Sequence, residues 1–142
     1  MSDTLIINGV NEPARVVFTW PVVPQGADLP YLGVRLEYTG MQASWAIDER
    51  IDRSAFTEFF KQVASRREQT VEGLSVHSLD SDLTISADDG YPHPRCIDLT
   101  FELSCDTQDP YWTTRLRVYV SKDQLDNLAA EAETFFAAVG AG

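Results

Sequence analysis

A chain of 142 residues with 44% hydrophobic and 11% aromatic side chains has the size and make-up of a single globular α+β domain, residues 1–142. Its mean hydropathy of −0.20 argues against a disordered chain, and no apolar stretch approaches the roughly 20 residues a membrane-spanning helix needs. Twenty-two Asp and Glu against eleven Lys and Arg give a formal charge of −11, which argues against nucleic acid and anionic lipid as partners and favours a basic protein surface.

The first third is predicted to be strands. Leu5 to Ile7 is a short apolar run, closed by Asn8-Gly9 and Asn11-Glu12-Pro13. Val16, Phe18 and Trp20 alternate over a second run that Pro21 ends, and the three prolines from Pro21 to Pro30 mark an extended surface loop. Leu32, Val34, Leu36 and Tyr38 share one face of a third strand, with Arg35 and Glu37 on the other. Thr39-Gly40 is a tight turn, after which Met41, Ala43, Trp45 and Ile47 resume the alternation and complete a hairpin.

From Asp52 the period becomes 3.6, with Ala55, Phe56, Phe59, Phe60, Val63 and Ala64 on one stripe. Asp52 is the expected N-cap, Ile51 and Phe56 its hydrophobic staple, and Arg66 and Arg67 complement the negative helix end. Strands resume with Leu74 and Val76, then Leu83, Ile85 and Ala87, separated by turns at Asp80-Ser81-Asp82 and Asp88-Asp89-Gly90. Ile97, Leu99, Phe101, Leu103 and Cys105 face inward on the next strand, as Trp112, Leu116, Val118 and Val120 do on the last. Asp98 and Glu102 are expected to pair with Arg115 and Arg117 across a solvated face. Ser121-Lys122-Asp123-Gln124 has the form of a capping box before a helix that carries Leu125, Leu128, Ala129, Ala132, Phe135, Phe136 and Val139. The expected order is β-β-β-β-α-β-β-β-β-α: an antiparallel sheet of about eight strands with two amphipathic helices packed on it.

Motifs for chemistry are weak. His77, His93, Cys96 and Cys105 include zinc-ligand types, but structural sites present ligands in close pairs and these do not, so no metal is expected. Cys96 and Cys105 have opposite parity on one strand and are expected to be free thiols. Gly73-Leu74-Ser75-Val76-His77 begins like a nucleophile elbow, yet has His77 where a second glycine belongs and lies between strands. Asp80-Ser81-Asp82 opens like a calcium loop without its glycine or closing Glu. Glu37, Asp98 and Glu102 fall on solvent faces, where nothing sets one carboxyl apart as a general acid. No catalytic residue and no cofactor is expected, and the chain is taken as a non-enzyme.

In an antiparallel meander, successive turns alternate between the sheet's two ends. Asp80 and Asp82 should therefore share an end with Asp106 and Asp109, where Tyr111 and Trp112 supply aromatic anchors, while Asp88, Asp89, Tyr91 and His93 gather at the other. An acidic rim holding Tyr and Trp suits a basic protein partner, since its charge speeds encounter and buried rings slow release. Solvated turn aspartates are the plainer explanation of the same residues.

The segment Ala43-Ser44-Trp45 through Phe56-Thr57-Glu58-Phe59-Phe60, the run Leu79-Asp80-Ser81-Asp82-Leu83-Thr84-Ile85, and the Trp112-to-Val120 strand with its closing helix resemble the WapI-type immunity proteins over about residues 30 to 138. The resemblance implies a cytoplasmic antidote that binds a secreted toxin domain without chemistry of its own. Met1-Ser2-Asp3-Thr4 lacks the basic and apolar regions of a secretory signal, in keeping with a cytoplasmic protein. The expected function is therefore immunity-type neutralisation of a toxin through Asp80, Asp82, Asp106, Asp109, Tyr111 and Trp112. A ligand-binding or scaffold domain, and a small hydrolase, are the alternatives.

Overall fold

A computed structural model of the chain describes residues 3–10, 13–47, 52–78, 82–105 and 112–139. The two hydrophobic periods appear as eight antiparallel strands and two helices in the expected order. β1 (Asp3–Asn8), β2 (Arg15–Val22), β3 (Tyr31–Tyr38) and β4 (Met41–Ile47) pair in sequence as one meander, and α1 (Arg53–Ser65) follows. β5 (Ser75–His77), β6 (Leu83–Asp89), β7 (Cys96–Cys105) and β8 (Trp112–Ser121) make a second meander, and α2 (Leu125–Ala138) ends the fold. The eight strands thus divide into two sheets of four, each of which must bury its apolar face against another layer.

Both apolar faces and both helices bury their side chains in one cluster. Phe18 of β2 lies 6.3 Å from Phe101 of β7 and 5.9 Å from Phe136 of α2, and the Phe136 ring is 5.3 Å from Phe56 of α1. Leu32, Leu83, Ile85, Leu99 and Leu103 around these rings are fully buried. At the margin, Val10 N–H donates to the Tyr119 carbonyl at 2.8 Å and ties the end of β1 to β8. No helix among the described residues is long and apolar enough to cross a membrane.

Local departures have local causes. β2 continues past Pro21 to Val22, across a register shift between Thr19 and Val22. Val22 then lies against β3, where its Cγ2 would be 2.8 Å from a Cβ on Gly33. Asp52 caps α1 as expected, accepting from Ala55 N–H at 3.0 Å, whereas Ile51 of the expected staple lies outside the described residues. Arg67 turns to the other helix, 2.8 Å from Asp126, instead of complementing the α1 terminus. The capping box does not close. Ser121 accepts from Asp123 N–H at 3.3 Å, Lys122–Gln124 form a 3₁₀ turn, and α2 begins at Leu125 without a side-chain cap. Lys122 N–H is held at 2.8 Å by the Arg95 carbonyl, which fits the tighter turn commonly used at helix starts.

Asp88 and Asp89 end β6 instead of forming the turn, which begins at Gly90. Gly90 is buried there, and a Cβ on it would stand 2.6 Å from the Cys96 carbonyl carbon and 3.0 Å from the His93 oxygen. Backbone cannot swing aside as a side chain can. Gly90→Ala is therefore expected to lower stability by about 1–3 kcal/mol, read as a shift in the urea midpoint at unchanged slope.

Candidate functional site

Of the six residues expected to meet a partner, Asp80, Asp106, Asp109 and Tyr111 lie outside the described residues. Asp82 and Trp112 fall at the same end of the second sheet. The Asp82 carbonyl accepts from Ser104 N–H at 2.9 Å, and the next residue on β7, Cys105, is the register partner of Trp112. Trp112 is only partly exposed, because its ring meets Trp45 of β4 edge-on at 5.6 Å and closes the two sheets there.

At the opposite end the carboxylates of Glu72, Asp88 and Asp89 converge within 4.8 Å of one another, all exposed. The loop after α1 brings Glu72 in. Asp89 accepts from the Thr70 hydroxyl at 2.9 Å and from Val71 N–H at 3.2 Å, while Ala87 N–H donates to the Leu74 carbonyl at 2.9 Å. Asp89 is thus partly structural, and Asp88 Oδ1 accepts from the Asp89 N–H at 2.8 Å. These three could supply oxygen donors to a cation, but calcium takes six to eight. Tyr91 stands beside them at 90% exposure, over a groove of about 400 Å³ that Asp89, Gly90, Pro92, Pro94 and Lys122 help to line. His93, expected in the same group, rests its ring on Tyr119 at 5.0 Å.

The outer face of the second sheet carries the expected cross-strand pairs. Arg115 donates to Glu102 at 2.7 Å, and Arg117 reaches diagonally to Asp98 at 2.9 Å. Asp98 is the correction on this face: parity places it outward, yet it is 8% exposed with the Arg117 guanidinium against it. The Tyr119 side chain first, and Asp98 second, raise the Arg117 pKa and keep this cation charged. Both arginines of the face are thus engaged by its own carboxylates.

The first sheet's outer face is different in kind. Glu37 accepts from Arg15 at 2.9 and 3.1 Å, and from Arg35 at 3.2 Å. Burial alone raises the Glu37 pKa, but the hydrogen bonds from Arg15 and then Arg35 outweigh it and the net shift is downward. A carboxyl with a lowered folded-state pKa stabilises above its unfolded value of about 4.3 and loses that contribution as pH falls through the folded value. Glu37→Gln is accordingly expected to be less stable than the parent at pH 6, with the difference shrinking in urea titrations as the pH is lowered below the unfolded value. Across β2, β3 and β4 of the same face runs a groove of about 800 Å³, floored by Gly33 and bordered by the Pro24–Ala27 loop.

His77, His93, Cys96 and Cys105 are not brought into a common group among the described residues. His77 Nδ1 is 2.9 Å from the Ser78 carbonyl, and Cys105 is buried as a free thiol. Glu72, and the Arg15–Glu37–Arg35 set, were missed from sequence because each depends on which strands or loops become neighbours. One usable signal lay in the sequence: from residue 79 onward, twelve Asp and Glu face four Lys and Arg, so this part carries −8 of the −11, while the first 78 residues hold ten against seven. Comparison with family models, curated proteins and solved structures finds no match to this chain.

Proposed function

We propose that this chain is an immunity-type protein that neutralises a toxin domain by covering its basic surface with the carboxylates of the second sheet. The observation that carries the reading is the net charge of −8 in the sequence from residue 79 onward, which runs through the second sheet and α2, together with the engagement of Arg115 and Arg117 on that sheet by Glu102 and Asp98. A potential of one sign over one side of a protein attracts an oppositely charged partner and speeds its encounter. Tyr91, exposed on the groove that it lines with Asp89, offers the apolar area that slows release. Occlusion asks for no reacting group from the inhibitor. The resemblance to WapI-type immunity proteins supplies the class of partner, and a cytoplasmic site of action follows from the same reading.

The test is co-expression with the C-terminal domain of a large toxin encoded beside this chain. Restored growth and a complex that co-elutes at low salt are expected. Unchanged toxicity without a complex would remove the proposal.

A further inference from the structure

β4 is the outer strand of the first sheet, and among the described residues only β3 pairs with it. Its seven residues, Met41 to Ile47, contain no charged side chain and no proline, in a chain that is 23% charged. Its register with β3 runs unbroken from Tyr38↔Met41 to Leu32↔Ile47, so no bulge twists this edge away. Protein sheets ordinarily blunt an open edge with Lys, Pro or a bulge; this one carries none of the three. Because two residues make the turn, Tyr38 and Met41 form a hydrogen-bonded pair, and alternate residues Gln42, Ser44 and Ala46 turn N–H and C=O toward the open side.

Those same three residues form one wall of the 800 Å³ groove, whose other walls are Val17, Thr19 and Val22 of β2, Tyr31 of β3 and the loop from Pro24. Among the described residues Arg35 is the one charged residue lining it. In a protein with twice as many acids as bases, a groove with a guanidinium and no carboxylate has the opposite character to the rest of the surface. Arg35 spends one donor on Glu37, which Arg15 grips from the other side. Among the described residues the terminal nitrogens of the fork meet no other carboxylate, and a second carboxylate there would have the geometry arginine favours.

The geometry points to strand addition: β4 takes an extended segment of a partner protein as a fifth strand, with an acidic side chain of that segment reaching Arg35 and its apolar neighbours two residues away lying along the groove. Main-chain pairing supplies affinity in this mode, and the side-chain pockets supply selectivity. The charge of the groove decides between occupants. A second copy of β4 presents Met, Gln, Ala, Ser, Trp and Ile and has no carboxylate to give Arg35. This surface is separate from the carboxylate-rich end, and the inference does not depend on the toxin reading.

Selection of a random 12-residue peptide library on the immobilised protein tests it. Enriched peptides are expected to carry an Asp or Glu with apolar residues two positions away on either side, and to bind in solution. Arg35→Gln should weaken them by at least about tenfold, the scale of a lost hydrogen bond to a charged group. Ser44→Pro should abolish binding while removing no ladder bond, and Gln42→Pro, at another outward-facing N–H of the same edge, does the same if the first proline variant fails to fold. Glu72→Gln should leave peptide affinity unchanged. The inference is overturned by no enrichment, by a consensus without an acid, or by peptides indifferent to Arg35→Gln. Binding that survives the edge variants would mean a groove ligand without strand addition, and a dimer abolished by Ser44→Pro would mean that a second copy fills the edge. Either result overturns it too.

Discussion

Phe136→Ala is expected to lower the unfolding free energy by about 4 kcal/mol, close to the whole stability of a marginal domain. Phe136 is fully buried, and its ring lies within 6.4 Å of Phe18, Phe56, Phe60 and Phe135. One truncation therefore opens a cavity where the first sheet and both helices meet, and relaxation at one contact pulls on the others. Phe59, 5% exposed and, among the described residues, in ring contact with Phe60 alone, provides the contrast and should cost less. Urea unfolding at constant slope measures both, and equal losses would mean that Phe136 is not the junction described. The coupling between Phe18→Leu and Phe136→Leu should be about 0.5–1.5 kcal/mol beyond additivity.

Tyr91→Ala is expected to leave stability nearly unchanged, since the ring is 90% exposed, and to raise the dissociation rate of the proposed toxin complex by about 30-fold, as loss of a 2 kcal/mol anchor would. Glu72→Gln combined with Asp88→Asn should act on the other rate, slowing association about tenfold with little change in release, because these carboxylates act at a distance before contact. Asp89 is left intact in that variant because it holds Thr70 and the Val71 N–H. Stopped-flow association and dissociation separate the two effects. A Tyr91 variant altered only in association would place the ring outside the interface.

Period-2 and period-3.6 patterning made most of the fold legible. Leu32, Val34 and Leu36, the odd positions from Ile97 to Cys105, and the Phe56–Ala64 stripe are all buried as their spacing requires. Asp52 was legible because an N-cap is a local device. What stayed hidden was non-local. Parity placed Asp98 on the polar face, but its burial depends on Arg117 reaching over from two register positions along β8. The meeting of Glu72 with Asp88 requires the loop after α1 to fold onto β6, which no spacing announces. The open edge of β4 likewise follows from the division into two sheets, which is settled by packing between layers and leaves no mark in the alternation of either half.

The most direct test of the proposed function is the ionic-strength dependence of the association rate between this protein and the proposed toxin domain. Between about 25 and 500 mM salt the rate should fall by at least about tenfold, because the attraction between a chain of net charge −11 and a basic partner is screened over that range. A rate that stays flat or rises with salt, or the absence of any complex at low salt, would contradict it.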